Sequence, residues 1–157
     1  MLQPSRLSGF GALAVLAALS VNLPATAQAT GTGAQRATAL MKIRITSGTT
    51  VLTGTLLDNP TARDFASLLP LTTILTDYAK TEKISDLPRK LTTSAAPAAS
   101  TPAAGTIAYY APWGNLAFFY KPFARSNGLI LLGSIDTDIG LLARSGSLDV
   151  KVELISD

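Results

Sequence analysis

From position 41 the chain alternates apolar and polar residues, with Met41, Ile43 and Ile45 set against Lys42, Arg44 and Thr46. A period of two belongs to a strand with one buried face. Ser47-Gly48-Thr49-Thr50 turns the chain into a second strand over Val51 to Leu57, so the opening predicts a β-hairpin. The period changes at Asp58-Asn59-Pro60. Asn59 can cap free backbone N–H groups, and Pro60 suits a first helical position, where no donor is needed. Ala62, Phe65, Ala66 and Leu69 then share one face at helical spacing, and Pro70 stops the helix. One short amphipathic helix among strands predicts a plug over an open end of a barrel or sheet.

Leu71 to Thr76 reads as a further strand, and Asp77 to Lys90 as a polar connection. Thr92 to Ala104 contains only Ala, Pro, Ser and Thr. With nothing to bury, it is expected to be a mobile surface loop. Thr106 to Ala111 and Asn115 to Tyr120 predict a second hairpin across Pro112-Trp113-Gly114. Leu129 to Ile135 is almost wholly apolar, which predicts a central strand buried on both sides. A helical turn is expected around Ile139 to Ala143. In the last strand Leu148, Val150, Val152 and Leu154 alternate with Asp149, Lys151 and Glu153. Many short strands without a regular βαβ alternation point to a mainly β fold, a closed or nearly closed barrel that removes exposed sheet edges.

The region before this domain has a different logic. Arg6, an apolar run from Gly11 to Val21 and the small residues of Ala27-Gln28-Ala29 follow the order of a secretory signal peptide. Residues 1–29 are therefore expected to be a cleavable leader and residues 30–39 a spacer. Residues 40–157 are then expected to be the domain of an exported protein, periplasmic or secreted. The apolar run is shorter than the roughly 20 residues that span a bilayer, so no membrane span is expected after cleavage. Met41 opens the first strand directly, and translation starting there would yield the same domain without a leader.

Composition narrows the chemistry. The chain has no Cys and no His. That excludes disulfides, thiolate catalysis, Ser-His-Asp arrangements and the common zinc sites. Of the 13 cationic residues one, Arg6, lies in the leader, which leaves 12 against 10 acidic residues, scattered singly. Such a balance predicts neither a nucleic-acid nor an anionic-membrane partner. The glycines are isolated and sit at turns, so no phosphate loop or dinucleotide fingerprint is present and no cofactor is implied.

Five segments in order carry a resemblance. They are Met41-Lys42-Ile43-Arg44-Ile45, Asp58-Asn59-Pro60-Thr61-Ala62, Thr81-Glu82-Lys83-Ile84, Leu87-Pro88-Arg89-Lys90-Leu91, and Tyr110-Ala111-Pro112-Trp113-Gly114-Asn115-Leu116. Together they resemble the bacterial cyclophilin-like proteins, from about Met41 to the C-terminus. The resemblance implies a closed cyclophilin-like β-barrel of about eight strands with one or two short capping helices. True cyclophilins carry a Phe-His-Arg type segment and a Phe/Met/Gln segment at a proline pocket. Neither is found here, so no catalytic residue carries over.

The candidate ligand-binding residues are Tyr78, Glu82, Arg89, Tyr110, Trp113 and Tyr120, which combine clustered rings with an acid and a base. A shallow pocket of these residues at the barrel mouth would take a peptide or a small ligand. Two other readings stay open. A prolyl isomerase needs an apolar pocket and a donor to the prolyl nitrogen, for which Trp113, Phe118 or Tyr120 with Arg63, Arg89 or Arg125 are available. A structural or accessory envelope protein would use these residues for packing only, with Trp113 capping the core and Asn115 hydrogen-bonded to the turn backbone. Asp77, Tyr78 and Glu82 also lie close enough in sequence to present two carboxylates and a phenol to one pocket.

Overall fold

The computed structural model describes residues 40–155. The leader and spacer assignments, 1–29 and 30–39, lie outside the described residues. The opening hairpin is β1 (Met41–Ser47) and β2 (Thr50–Leu56). It closes through Gly48-Thr49, with Gly48 at φ +58°, a conformation that costs glycine nothing. Helix α1 (Pro60–Ala66) starts as its sequence predicts, with Asn59 Oδ1 accepting the Ala62 N–H at 2.8 Å. It ends before Leu69, which packs on the core from the following turn.

The remaining strands are β3 (Leu71–Tyr78), β4 (Glu82–Asp86), β5 (Ala99–Ser100), β6 (Thr106–Tyr110), β7 (Asn115–Phe119), β8 (Ser126–Asn127), β9 (Leu129–Ile135) and β10 (Leu148–Leu154). Eight of them close into an antiparallel barrel in the order β1-β10-β3-β4-β7-β6-β9-β2. The mainly β, closed-barrel expectation holds, with a single helix among the described residues. Around Ile139 to Ala143 the chain makes the expected turn, with the Leu142 N–H on the Ile139 carbonyl at 2.9 Å.

The apolar interior is filled by one side of every barrel strand but β4, including Ile45, Leu56, Leu75, Phe118, Leu132 and Val152, while β4 turns Lys83 and Ser85 inward. Ala62, Phe65 and Ala66 of α1 join this cluster, so the helix plugs the barrel as its amphipathic face requires. At fully buried Tyr109 the hydroxyl accepts the Leu91 N–H at 3.1 Å. That satisfies a polar atom which burial would otherwise leave costly.

Three expectations are corrected. Asp77 to Lys90 is not a plain connection: it contains the end of β3, a tight turn and β4. Its polarity misled because one inward position, Lys83, is a lysine. The side chain is fully buried, with Nζ 2.8 Å from Asp77 Oδ2 and donating to the carbonyls of Arg144 (2.7 Å) and Gly146 (2.5 Å). A buried charge survives only with such partners.

The Ala/Pro/Ser/Thr stretch is likewise not a featureless loop. β5 within it pairs with β8, and Ala99 and Ser100 are buried. Small side chains let this segment lie close against the barrel. Finally, Leu129–Ile135 is buried on both sides for another reason than centrality, since a closed barrel has no central strand. Leu129 belongs to a second cluster, with Ala108, Ala117 and Phe119, on the outer wall.

Candidate functional site

Strand parity builds the site. In β7, Leu116 and Phe118 point inward, so Asn115, Ala117 and Phe119 point outward. Cross-strand partners share a face, and Glu82 and Ile84 of β4 pair with Phe119 and Ala117, while Tyr110 of β6 pairs with Asn115 and Leu129. The outer wall of β4, β7, β6 and β9 therefore carries a partly apolar patch. A cavity of about 180 Å³ lies on it.

Three turns raise the sides of this cavity. The β3–β4 turn supplies Tyr78 and Thr81, the β6–β7 turn supplies Trp113, and the chain before β8 supplies Phe123. The β6–β7 turn is held by the Gly114 N–H on the Tyr110 carbonyl (2.8 Å) with Gly114 at φ +80°. Gly128 lets the Pro112 ring of this turn come against it, because a Cβ there would sit 2.8 Å from Pro112 Cδ. Trp113 is thereby displayed, 56% exposed, against Tyr78 (centroids 5.4 Å apart, planes at 88°) and Tyr110 (5.3 Å, 83°).

Two polar groups stand in this aromatic setting. Glu82 has no ion-pair or hydrogen-bond partner among the described residues, and loss of solvent pushes its carboxyl up to about 7. Asn115 is 3% exposed, and its Oδ1 has no hydrogen-bond partner among the described residues. The expectation that Asn115 bonds the turn backbone is thus replaced by an orphaned acceptor beside the cavity. Buried polar atoms are nearly always paired, so an orphan at a cavity wall is a feature of the site.

Four of the six sequence-derived residues, Tyr78, Glu82, Tyr110 and Trp113, meet at this cavity. Arg89 does not line it. Its guanidinium grips Asp64 of α1 at 2.6 and 3.1 Å, and Asp64, held below the ordinary carboxylate range first by Arg89, also accepts the Thr92 N–H at 2.7 Å. Tyr120 turns to the opposite face, packs on the interior cluster and donates to Asp77 Oδ1 at 2.9 Å. Its hydroxyl is raised above the usual phenol range, mainly by loss of solvent.

Asp77 and Glu82 are also separated. Tyr78 pairs with Glu82 outside and Asp77 with Lys83 inside, so the two carboxylates share no pocket. Lys83 is the first cause that lowers the Asp77 carboxyl. The pocket lies on the barrel's flank, where the sequence pointed to its mouth, because the rings that form it come from outward positions. Among the guanidinium donors considered for prolyl chemistry, Arg63 is paired with Asp58 and Arg125 is exposed, and neither lines the cavity. Asn115, Phe119 and Phe123 complete the site. Parity counted from Leu116 marks the first two, while Phe123 carries no sequence signal.

Among the described residues no cluster of carboxylates is arranged to hold a metal ion. No curated protein matches the sequence. The solution structure of a hypothetical protein from Archaeoglobus fulgidus is similar in fold, with a TM-score of 0.52 and 21% identity over 73% of this chain and 94% of that one. The sequence pattern of the cyclophilin-like family matches residues 45–153, which includes every barrel strand at least in part. The chain belongs to the cyclophilin-like family.

Proposed function

We propose that this is an exported binding module whose outer-wall cavity receives one end of a peptide or a small ligand. The observation that carries the reading is the pairing of an unpartnered carboxyl, Glu82, and an orphaned carboxamide oxygen, Asn115 Oδ1, with five rings around one cavity. Rings set apolar contact, and a few convergent polar groups set orientation. A wall serving packing alone gains nothing from either unpaired group, since each costs stability when shielded from water. Export rests on the order of charge, apolar run and small residues in 1–29.

Trp113 is the only tryptophan, so its emission reports on this cavity directly. The test is a panel of small probes, N-methylacetamide, choline, phenol and a proline tetrapeptide, read by Trp113 emission and by melting temperature. At least one probe is expected to shift both, and Tyr110→Ala, still folded by circular dichroism, is expected to lose the shift. A folded protein that responds to none of the panel, or a response that survives Tyr110→Ala, refutes the module.

A further inference from the structure

The cavity contains a carboxyl, three electron-rich rings and a free acceptor, yet among the described residues no lysine or arginine lines it. An ordinary protein carboxylate in an apolar setting is matched by a cation of its own chain, as Asp77 is by Lys83 and Asp64 by Arg89. Glu82 is the exception. The rings around it are also particular in geometry. Trp113 stands at right angles to both Tyr78 and Tyr110, which makes walls with corners and not a stack. Walls of this kind attract a cation through the negative faces of the rings.

Resting on the binding-module reading, we propose that the cavity recognises an alkylammonium headgroup, its positive charge beside Glu82 and its alkyl groups against Tyr78, Tyr110 and Trp113. The size fits. About 180 Å³ exceeds the roughly 150 Å³ apolar cavity that takes benzene, so one substituted ammonium group is accommodated. A donor carried near the cation, a hydroxyl or an amide N–H, meets Asn115 Oδ1. A primary ammonium keeps its water tightly, whereas an alkylated one sheds it and presents methyl groups to the rings, so alkylation favours entry.

The carboxyl must be ionised to pair with the cation. Its partners on this face are Tyr78 on β3 and Phe119 on β7, while Tyr110 and the uncharged Asn115 stand further along the cavity, opposite Asp86, a carboxyl on the same face of β4 that does not line it; Tyr120, Asp77 and Lys83 face the barrel interior. Glu82 is thus the carboxyl facing the cavity. Loss of solvent holds it protonated below about 7, so binding is expected to strengthen as pH rises through that value.

Choline and 3,3-dimethylbutan-1-ol differ in charge and hardly in shape, and both carry a hydroxyl. Titrated into the full chain at matched ionic strength, with Trp113 emission and calorimetry as readouts, choline is expected to bind about tenfold more tightly. The advantage should grow from pH 5.5 to 8.5 and be lost, with its pH dependence, in Glu82→Gln. Equal affinities, or binding of the alcohol or phenol alone, would overturn the cation and leave the binding module standing. If none of the probes binds, both fall.

Discussion

Replacing Glu82 by Gln tests the electrostatics of the cavity without any ligand. The side chain keeps its shape and loses its ionisation. Raising a carboxyl from its ordinary 4.5 to about 7 costs the ionised folded protein about 3 kcal/mol, at 1.36 kcal/mol per pH unit. Glu82 retains some contact with water, and screening there reduces the figure to about 2 kcal/mol. The sign follows from proton binding. Below pH 4.5 Glu82 is protonated in both states and costs nothing. Between 4.5 and 7 the unfolded chain releases the proton that the folded one keeps, so stability falls as pH rises, and above 7 the full cost persists. Urea unfolding at pH 4.5 and pH 8 should therefore find Glu82→Gln near wild type at the lower pH. At the higher pH it should be about 2 kcal/mol more stable, a midpoint shift of about 1 M. Asp64, Asp77, Asp136 and Glu153, all held below their ordinary values by bonded partners, act in the opposite direction at acid pH. They are common to both proteins and cancel in the difference. Parallel pH profiles for the two proteins would refute the reasoning.

Gly133→Ala should be among the most damaging single changes, because a Cβ there would overlap the Thr55 carbonyl and lie 2.9 Å from Leu56 Cα, prising β9 from β2. A loss of about 3 kcal/mol or more in urea unfolding is expected, at the upper end of overpacking. Lys83→Met should cost about 3 kcal/mol, since it strips Asp77 and two carbonyls of their donor, and Asp77→Asn in the same chain should recover part of it. A purely additive double variant would show that the two groups do not act as a pair. Lys80, at φ +53° in the β3–β4 turn, is in a left-handed conformation that a side chain disfavours. Lys80→Gly should raise the unfolding midpoint, by about 1 kcal/mol in free energy.

Most of the barrel can be read in the one-dimensional pattern, since alternation in Met41–Thr46 and Leu148–Leu154 depends only on each strand's two faces, and the Asn59-Pro60 cap is a local bond. Half of the site is legible for the same reason. Tyr78, Glu82, Tyr110 and Trp113 lie in two short segments, and outward parity with Asn115 already separates Tyr110 from Tyr120. Three-dimensional closure decided the rest. β4 is invisible to a hydrophobic count because its inward Lys83 is neutralised by Asp77 and by carbonyls about sixty residues away, partners that no local pattern contains. The Ala/Pro/Ser/Thr segment gains its order from β8, a partner more than twenty-five residues further along the chain. The sequence by itself thus determined which faces alternate and where the turns fall, because those are near-neighbour effects. Only the tertiary structure decided that the rings gather on the flank and that Arg89 is spent on Asp64, because those depend on which distant strands come to share a face.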